Sequence, residues 1–365
     1  MTGTPGDDPF GTADIRAANL QAWLASPTRL REDANAEEDH AGGYYRDRAV
    51  IELAQNAADA AAAAGDQPGG LLLRLTRDDD GAVLTAANTG APLTATGVQA
   101  LASMRASAKS GGVGAGGPAG AAVVDGTTVS ATGGKGLVGR FGVGFAAVRA
   151  LSDELAVVSG AGTGTAASGV AFSAAATRAE LERLAQERRG ATTAIRQVLE
   201  RPAAELPILR LPFPEPGPAA KHLRSQDLTV PPGYDTAVVV RLRGPAELRR
   251  VRELLDAVDD ALLLALPALG EVTIEADGEV PRTLAGASQR WLSVHVAGRH
   301  GPAQLADRPY EERARPGWSV TCALPRPGPG EEPRLRDLVR QPHVVHAPTP
   351  TDEPWTLPAL SLIHI

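Results

Sequence analysis

One cysteine, Cys322, stands alone in 365 residues. An internal disulfide is excluded, and so is a zinc site built from cysteines. A lone cysteine of this kind reads as a small buried residue. Aromatic residues make up only 4%, so Ala, Leu and Val must build the core. Lysine occurs three times, at Lys109, Lys135 and Lys221, and the rest of the 36 basic residues are arginine. That skew reads as a GC-rich genome rather than as chemistry. The net charge is -7 and no basic stripe is visible, so nucleic acid is not expected as the main partner. The longest apolar stretch, Ala261 to Leu269, is broken by Pro267 and is too short to span a bilayer. The opening MTGTPGDDPF is acidic and lacks the apolar core of a signal peptide. The cytoplasm is the expected compartment. No Walker A sequence occurs, which excludes a P-loop ATPase at the level of motif.

What is present suits a globular chain with a real core: 43% hydrophobic and 22% charged residues. The length allows one large or two ordinary domains. Residues 1–43 read as a polar N-terminal extension with one short helix from Ala13 to Leu24. Tyr44 to Ala64 reads as a helix, with Val50, Ala54, Ala57 and Ala61 at helical spacing. Leu71–Thr76 and Ala82–Ala87 read as strands joined by a turn at Asp78–Gly81, and a helix follows over Ala95–Met104. From Ser110 to Gly136, 10 of 27 residues are glycine. The stretch is either a linker or a mobile lid. A helix is expected from Gly144 to Leu151, strands at Leu155–Ser159 and Gly169–Ser173, and one charged helix over Thr177–Leu199. Leu206–Pro218 reads as extended. A strand at Thr236–Leu242 precedes one long amphipathic helix, Ala246–Leu266, and a strand at Glu271–Ala276. The character then changes, and a domain boundary is expected near residue 280. Residues 281–365 read as short strands in Pro/Gly-rich connections. The chain closes on SLIHI without a cap or polar tail, so the natural protein is expected to continue.

Four groups of residues can carry chemistry. Glu52, Asn56 and Asp59 in ELAQNAADA share one helical face. Such a stripe is ordinarily a solvated face. However, a mid-helix Asn is a poor helix former and asks for compensation, and one amide oxygen suffices for Mg²⁺, which keeps its waters and phosphates. Asn88-Thr89-Gly90-Ala91-Pro92-Leu93 follows a strand and taken alone is a turn. Gly139-Arg140-Phe141-Gly142-Val143-Gly144-Phe145 opens a helix, where bare N–H groups and the dipole favour an anion. Packing explains such glycines equally well. Asp235-Thr236 begins the strand TAVVVRL, and a Thr there is ordinarily just a strand former.

The order of these segments carries more than any one of them. ELAQNAADA, ANTGAPL, RASAKSGG, VGRFGVGF and DTAVVV resemble the successive nucleotide-site motifs of the GHKL superfamily, which unites DNA gyrase, the ninety-kilodalton heat-shock chaperones, histidine kinases and MutL. QNAADA and RFGVGFAAVRALSDELAVVSG are most similar to sacsin N-terminal ATPase-like domains. The resemblance spans about residues 44–276. It implies a Bergerat-type ATP-binding fold over 44–280: an α/β (α+β) two-layer sandwich, with a mixed, largely antiparallel sheet covered by helices on one side. A Gly-rich lid is implied over 105–138, and the nucleotide is expected on the layer away from the sheet's open face.

The resemblance also implies roles, residue by residue. Glu52 stands at the general base and Asn56 at the Mg²⁺ ligand. Asp59 stands at a polar position near the sugar and base. Asn88 stands where most members have an Asp that reads the adenine amine, and Gly90 follows in the same turn. Lys109 matches a lysine of the lid start. Gly139, Gly142, Val143, Gly144 and Phe145, with Phe141 among them, match the loop whose backbone holds the phosphates. Thr236 matches a strand Thr that helps to bind adenine. Two departures matter. Asn88 is a neutral acceptor where a charged one is usual, so affinity is expected to be lower. Pro92 replaces a glycine and stiffens the turn. Arg140 stands where a Gln is common and is either a phosphate ligand or a surface residue.

The implied activity is slow, Mg²⁺-dependent ATP hydrolysis driving conformational change in a chaperone-like protein, with client proteins and an ATP-linked homodimer as expected partners. The rivals are a nucleotide-binding module without turnover, acting as a partner switch, and a DNA-handling ATPase of the MutL or gyrase kind. A histidine kinase fits poorly, because Glu52 is a water-activating residue and no helical His-Glu motif precedes the domain.

Overall fold

The computed structural model describes residues 8–42, 47–103, 122–124, 127–130, 144–160, 168–187, 192–217, 219, 221–223, 227–308, 313, 316–326, 343–346, 350–355 and 359–364. In chain order the elements begin with α1 (Thr12–Ala25), α2 (Pro27–Gly42), α3 (Ala49–Ala64), β1 (Gly69–Asp78), β2 (Gly81–Asn88), α4 (Ala95–Ala102), β3 (Ala122–Val124) and β4 (Thr127–Ser130). A 3-10 helix at Gly144–Ala150 leads to β5 (Glu154–Ser159), β6 (Ser168–Ser173), α5 (Ala174–Glu187), α6 (Thr192–Leu199), β7 (Phe213–Glu215), β8 (Thr236–Arg241), α7 (Pro245–Asp256), α8 (Asp260–Ala265), β9 (Leu269–Ala276) and β10 (Arg282–Ala285). Then come α9 (Ala287–Arg290), β11 (Trp291–Arg299), β12 (Gly317–Pro325), β13 (His343–His346), β14 (Pro350–Trp355) and β15 (Leu360–His364).

The strands form two sheets. The first runs β10-β9-β1-β2-β8-β5-β6-β7. Only the β1–β9 pair is parallel, so the sheet is mixed and largely antiparallel. Side chains alternate between the faces of a strand. On one face Leu71, Leu73, Leu84, Ala86, Leu155, Val157, Val238 and Val240 join the helices in the main core. On the other face Leu72, Val83, Ala156, Val158, Ala237 and Val239 form a smaller cluster with Ala219, Leu223 and Val230. The second face is therefore not open, as the sequence reading has it; an irregular segment before β8 covers part of it. The architecture is a mixed α/β sandwich.

Several elements differ from the sequence reading. Residues 27–42 form a second N-terminal helix, and this part of the chain is not a detached extension. Trp23, Leu30 and Ala34 belong to the main core, and burying a side chain such as Trp23 or Leu30 stabilises the fold by about 1.5–3 kcal/mol. The long helix expected over 246–266 is two helices. Asp259 breaks it, because its side chain caps the second helix by accepting the Ala261 N–H at 2.9 Å. The single helix expected over 177–199 is α5 and α6. The helix after Gly144 is a 3-10 helix rather than an α-helix. Phe213–Glu215 supplies the only strand described in the stretch read as extended, which also holds a 3-10 turn at Ile208–Arg210.

β10 still pairs with β9, so the first sheet continues past residue 280. The second sheet, β14-β13-β15-β12-β11-β4-β3, takes in β3 and β4, the described part of the segment read as a lid. Cys322 is half-buried rather than buried. Among the described residues no helix is long and apolar enough to cross a membrane.

Candidate functional site

The site begins with α3. Gly65, at φ 144°, ends this helix. Its alanines 54, 57, 58 and 61 all lie in the core, and it packs on β1, β2 and the 3-10 helix that Gly144 opens. The polar stripe is not a solvated face. Glu52 is 8% exposed and Asp59 4%, while Asn56 is half-buried. Burying carboxylates is costly unless they are partnered. Glu52 has a partner one turn back, with Arg48 Nε 3.4 Å from its Oε1.

Gly90 locks the turn after β2 onto this helix. Its φ is 131°, and a Cβ there would lie 2.5 Å from both the carbonyl carbon and the oxygen of Ala60. No side chain fits in that position. The next residue, Ala91, donates its N–H to the Ala60 carbonyl at 2.9 Å. The residue after Asp59 is thus joined, backbone to backbone, to the turn that starts at Asn88.

Asn88 ends β2, and its direct partner on β8 is Thr236. Thr236 is paired in turn with Ser159 at the end of β5. The three form one row across adjacent strands and share a face. That face is the one of Leu84, Ala86, Val157 and Val238, which meets the helices. All three are buried. Thr236 Oγ1 and Ser159 Oγ lie 2.8 Å apart. Ser159 Oγ also donates to the Asp235 carbonyl at 3.1 Å and accepts the Leu93 N–H at 3.1 Å. Asn88 Nδ2 donates to the Thr89 carbonyl at 3.2 Å.

Asp235 fastens the turn from the other side. Its carboxylate Oδ2 accepts the Gly90 N–H at 2.8 Å, and its own N–H donates to the Asn88 carbonyl at 2.9 Å. Motifs about 150 residues apart in sequence, Asn88–Gly90 and Asp235–Thr236, are one hydrogen-bonded unit.

The structure brings Asn88, Gly90 and Thr236 together and joins their turn to α3 at Ala60, next to Asp59, with Asn56 and Glu52 earlier on the same helix. Gly144 starts the 3-10 helix that touches α3. Phe145 turns its ring into the core, 5% exposed and 6.0 Å from the Phe172 ring, so its side chain serves packing. Lys109, Gly139, Arg140, Phe141, Gly142 and Val143 lie outside the described residues. Sequence reasoning passed over two members of the unit. Ser159 was read only as the end of a strand, and the Asp235 carboxylate had no assigned role. Only strand register could reveal Ser159, whereas an acidic residue directly before a site Thr was a usable signal.

A second buried polar cluster ties α2 to the 3-10 helix at 144–150 and to the segment at 203–209. Arg149 and Glu37 are fully buried and paired at 3.1 Å. Arg149 also donates to the carbonyls of Ser152, Ala203 and Ala204. Glu37 accepts the N–H groups of Ile208 and Leu209 at 3.0 and 2.7 Å. Burial raises the Glu37 carboxyl to about 7, against the opposing pull of Arg149 and the Leu209 N–H. Every partner is internal, so the cluster is a brace rather than a ligand site. Among the described residues no group of three or more His, Cys, Asp or Glu side chains is arranged to hold a metal ion. No family model matches the chain, and no curated protein is similar enough to lend it a function.

Proposed function

We propose that this chain is a Bergerat-type ATP-binding domain that binds ATP with Mg²⁺ and hydrolyses it slowly, driving conformational change in a chaperone-like protein. One observation supports this above all. The backbone junction of Gly90 and Ala91 with Ala60 sets the Asn88–Thr236 strand ends beside the helix that carries Asn56 and Asp59. Buried polar residues at strand ends, joined to a helix that carries a partly buried polar stripe, suit the polar edge of a nucleotide better than they suit a core.

The donor set fits a magnesium ion that arrives with its nucleotide. Among the described residues no cage of carboxylates is on hand, but Mg²⁺ keeps most of its waters and phosphate oxygens and needs one or two protein oxygens. The Asn56 amide is half-buried and thus within reach of solvent. The ion would supply charge neutralisation at the phosphates. Glu52 would orient a water and take its proton. Asn88 and Thr236 would hold the base. Lys109 and the Gly139–Val143 loop keep the phosphate-side roles that the resemblance implies.

A nucleotide-binding module without turnover is the second reading, and the Arg48–Glu52 ion pair favours it. A carboxylate held by a guanidinium is less free to orient an attacking water. One experiment separates the two: calorimetric titration with ATP and Mg²⁺, with phosphate release followed in parallel. Binding that Asn56→Ala abolishes and Glu52→Ala spares, with phosphate release lost in Glu52→Ala, supports the ATPase. Binding without release supports the module. A folded wild type that binds no ATP at millimolar concentration sinks both.

A further inference from the structure

Ser159 stands in the middle of the site, and its hydrogen bonds have a definite sense. A serine hydroxyl has one proton to give and two lone pairs to fill. The Asp235 carbonyl can only accept, so the Ser159 proton goes there, at 3.1 Å. The Leu93 N–H can only donate, and it fills one lone pair at 3.1 Å. The remaining contact is Thr236 Oγ1 at 2.8 Å. With the Ser159 proton already committed, Thr236 must donate. Every valence of Ser159 is then used, as expected of a hydroxyl that is only 3% exposed.

The consequence falls on Thr236. Its only proton points at Ser159, so it offers a ligand lone pairs and nothing else. Asn88 is turned in the same sense. Its Nδ2 gives one proton to the Thr89 carbonyl at 3.2 Å, and its amide oxygen can accept. The nearby Asp235 carboxylate, which pins Gly90, adds negative charge. At Thr236 this end of the site therefore presents an acceptor. We propose that Ser159 is a specificity-determining positioning residue. By taking the Thr236 proton it selects a base bearing an exocyclic amine and rejects one bearing a keto oxygen at the same position. The inference rests on the nucleotide-binding reading above and deepens it.

The test compares ATP with inosine triphosphate, in which a keto oxygen replaces the 6-amine. Titration of the whole chain with each nucleotide and Mg²⁺ is expected to show wild type preferring ATP. Ser159→Ala frees the Thr236 proton to rotate toward the ligand, so the preference should shrink by roughly tenfold, mostly through tighter inosine triphosphate binding. A structural role alone would weaken both nucleotides in proportion. If Ser159→Ala fails to fold, Thr236→Val carries the test: removing the lone pairs should weaken ATP by about tenfold and leave inosine triphosphate unchanged. A preference that neither variant moves overturns this inference alone. A wild type that binds neither nucleotide overturns it together with the proposed function.

Discussion

The two sheets of this chain are built by different rules. In the first, helices cover one face and an irregular segment covers part of the other. β5 and β8 are buried along their whole length, and Leu84, Leu155 and Val240 are fully enclosed. In the second, Ala323 and Ser361 are buried, but Leu292 is 54% exposed, Val294 63% and Leu324 36%. Register explains the grouping, because Leu292 opposes Leu324 and Val294 opposes Cys322, which puts all four on one face. The difference teaches where chemistry can sit. A polar row such as Asn88, Thr236 and Ser159 needs a second layer over it, so that hydrogen bonds act without competition from water. Among the described residues the helices supply that layer over the Asn88, Thr236 and Ser159 row of the first sheet.

The largest test of the comparison breaks the helix layer itself. Arg149→Met leaves the Glu37 carboxylate buried without its cation and should cost about 3–5 kcal/mol of unfolding free energy. Denaturant titration measures it. The double variant Glu37→Gln with Arg149→Met removes both charges and should recover a good part of the loss. If Arg149→Met alone unfolds at the wild-type midpoint, the brace does not hold the layer. In that case the covering of the first sheet comes from apolar packing alone.

Much of this layer was legible, and the reasons for the rest are specific. The α3 pattern of Val50, Ala54, Ala57 and Ala61 at helical spacing is strong, and so is the two-residue turn between β1 and β2. The strands at 154–159, 168–173 and 236–241 carry dense β-branched and apolar residues. Glu37 was invisible, because a glutamate in the run Glu37-Glu38-Asp39 looks like solvated surface until Arg149 arrives from 112 residues away. The break at Asp259 was missed because the apolar stripe runs through it; a cap hydrogen bond outweighed the periodicity. In the site, Glu52, Asn56, Asn88, Gly90 and Thr236 could be found by motif order. Ser159 could not, since its role depends on which residue it faces across a strand.

A smaller effect sharpens the comparison by pH. Asp153 lies just before β5 and is reached by Arg149 at 3.1 Å and by Arg243 at 2.9 Å. Burial acts to raise its carboxyl, but the hydrogen bonds and charge of Arg243 and Arg149 outweigh that, and the net shift is downward from the usual 3.8. A carboxyl depressed in the folded state contributes stability above its unfolded value and loses it as pH falls through the folded value. Wild type should therefore lose stability more steeply below pH 3.8 than Asp153→Asn does. At neutral pH the variant should cost about 1 kcal/mol, since the pair is partly exposed. Thermal unfolding across an acid series measures the slope, and parallel curves would show that the ion pairs carry no pH-dependent stability.

The smallest effect belongs to the second sheet. Val294→Thr keeps a β-branched side chain on β11 while removing apolar surface that the fold leaves in water. Leu292→Ser likewise removes exposed apolar surface, beside Leu324. Neither site buries enough for its loss to be felt, so each change should stay within about 0.5 kcal/mol of wild type by denaturant titration. A loss several times larger for either would mean that this face is covered in solution, for instance by a second molecule. A midpoint that then rises with protein concentration would identify self-association, and the contrast between a closed and an open sheet would hold only for the isolated chain.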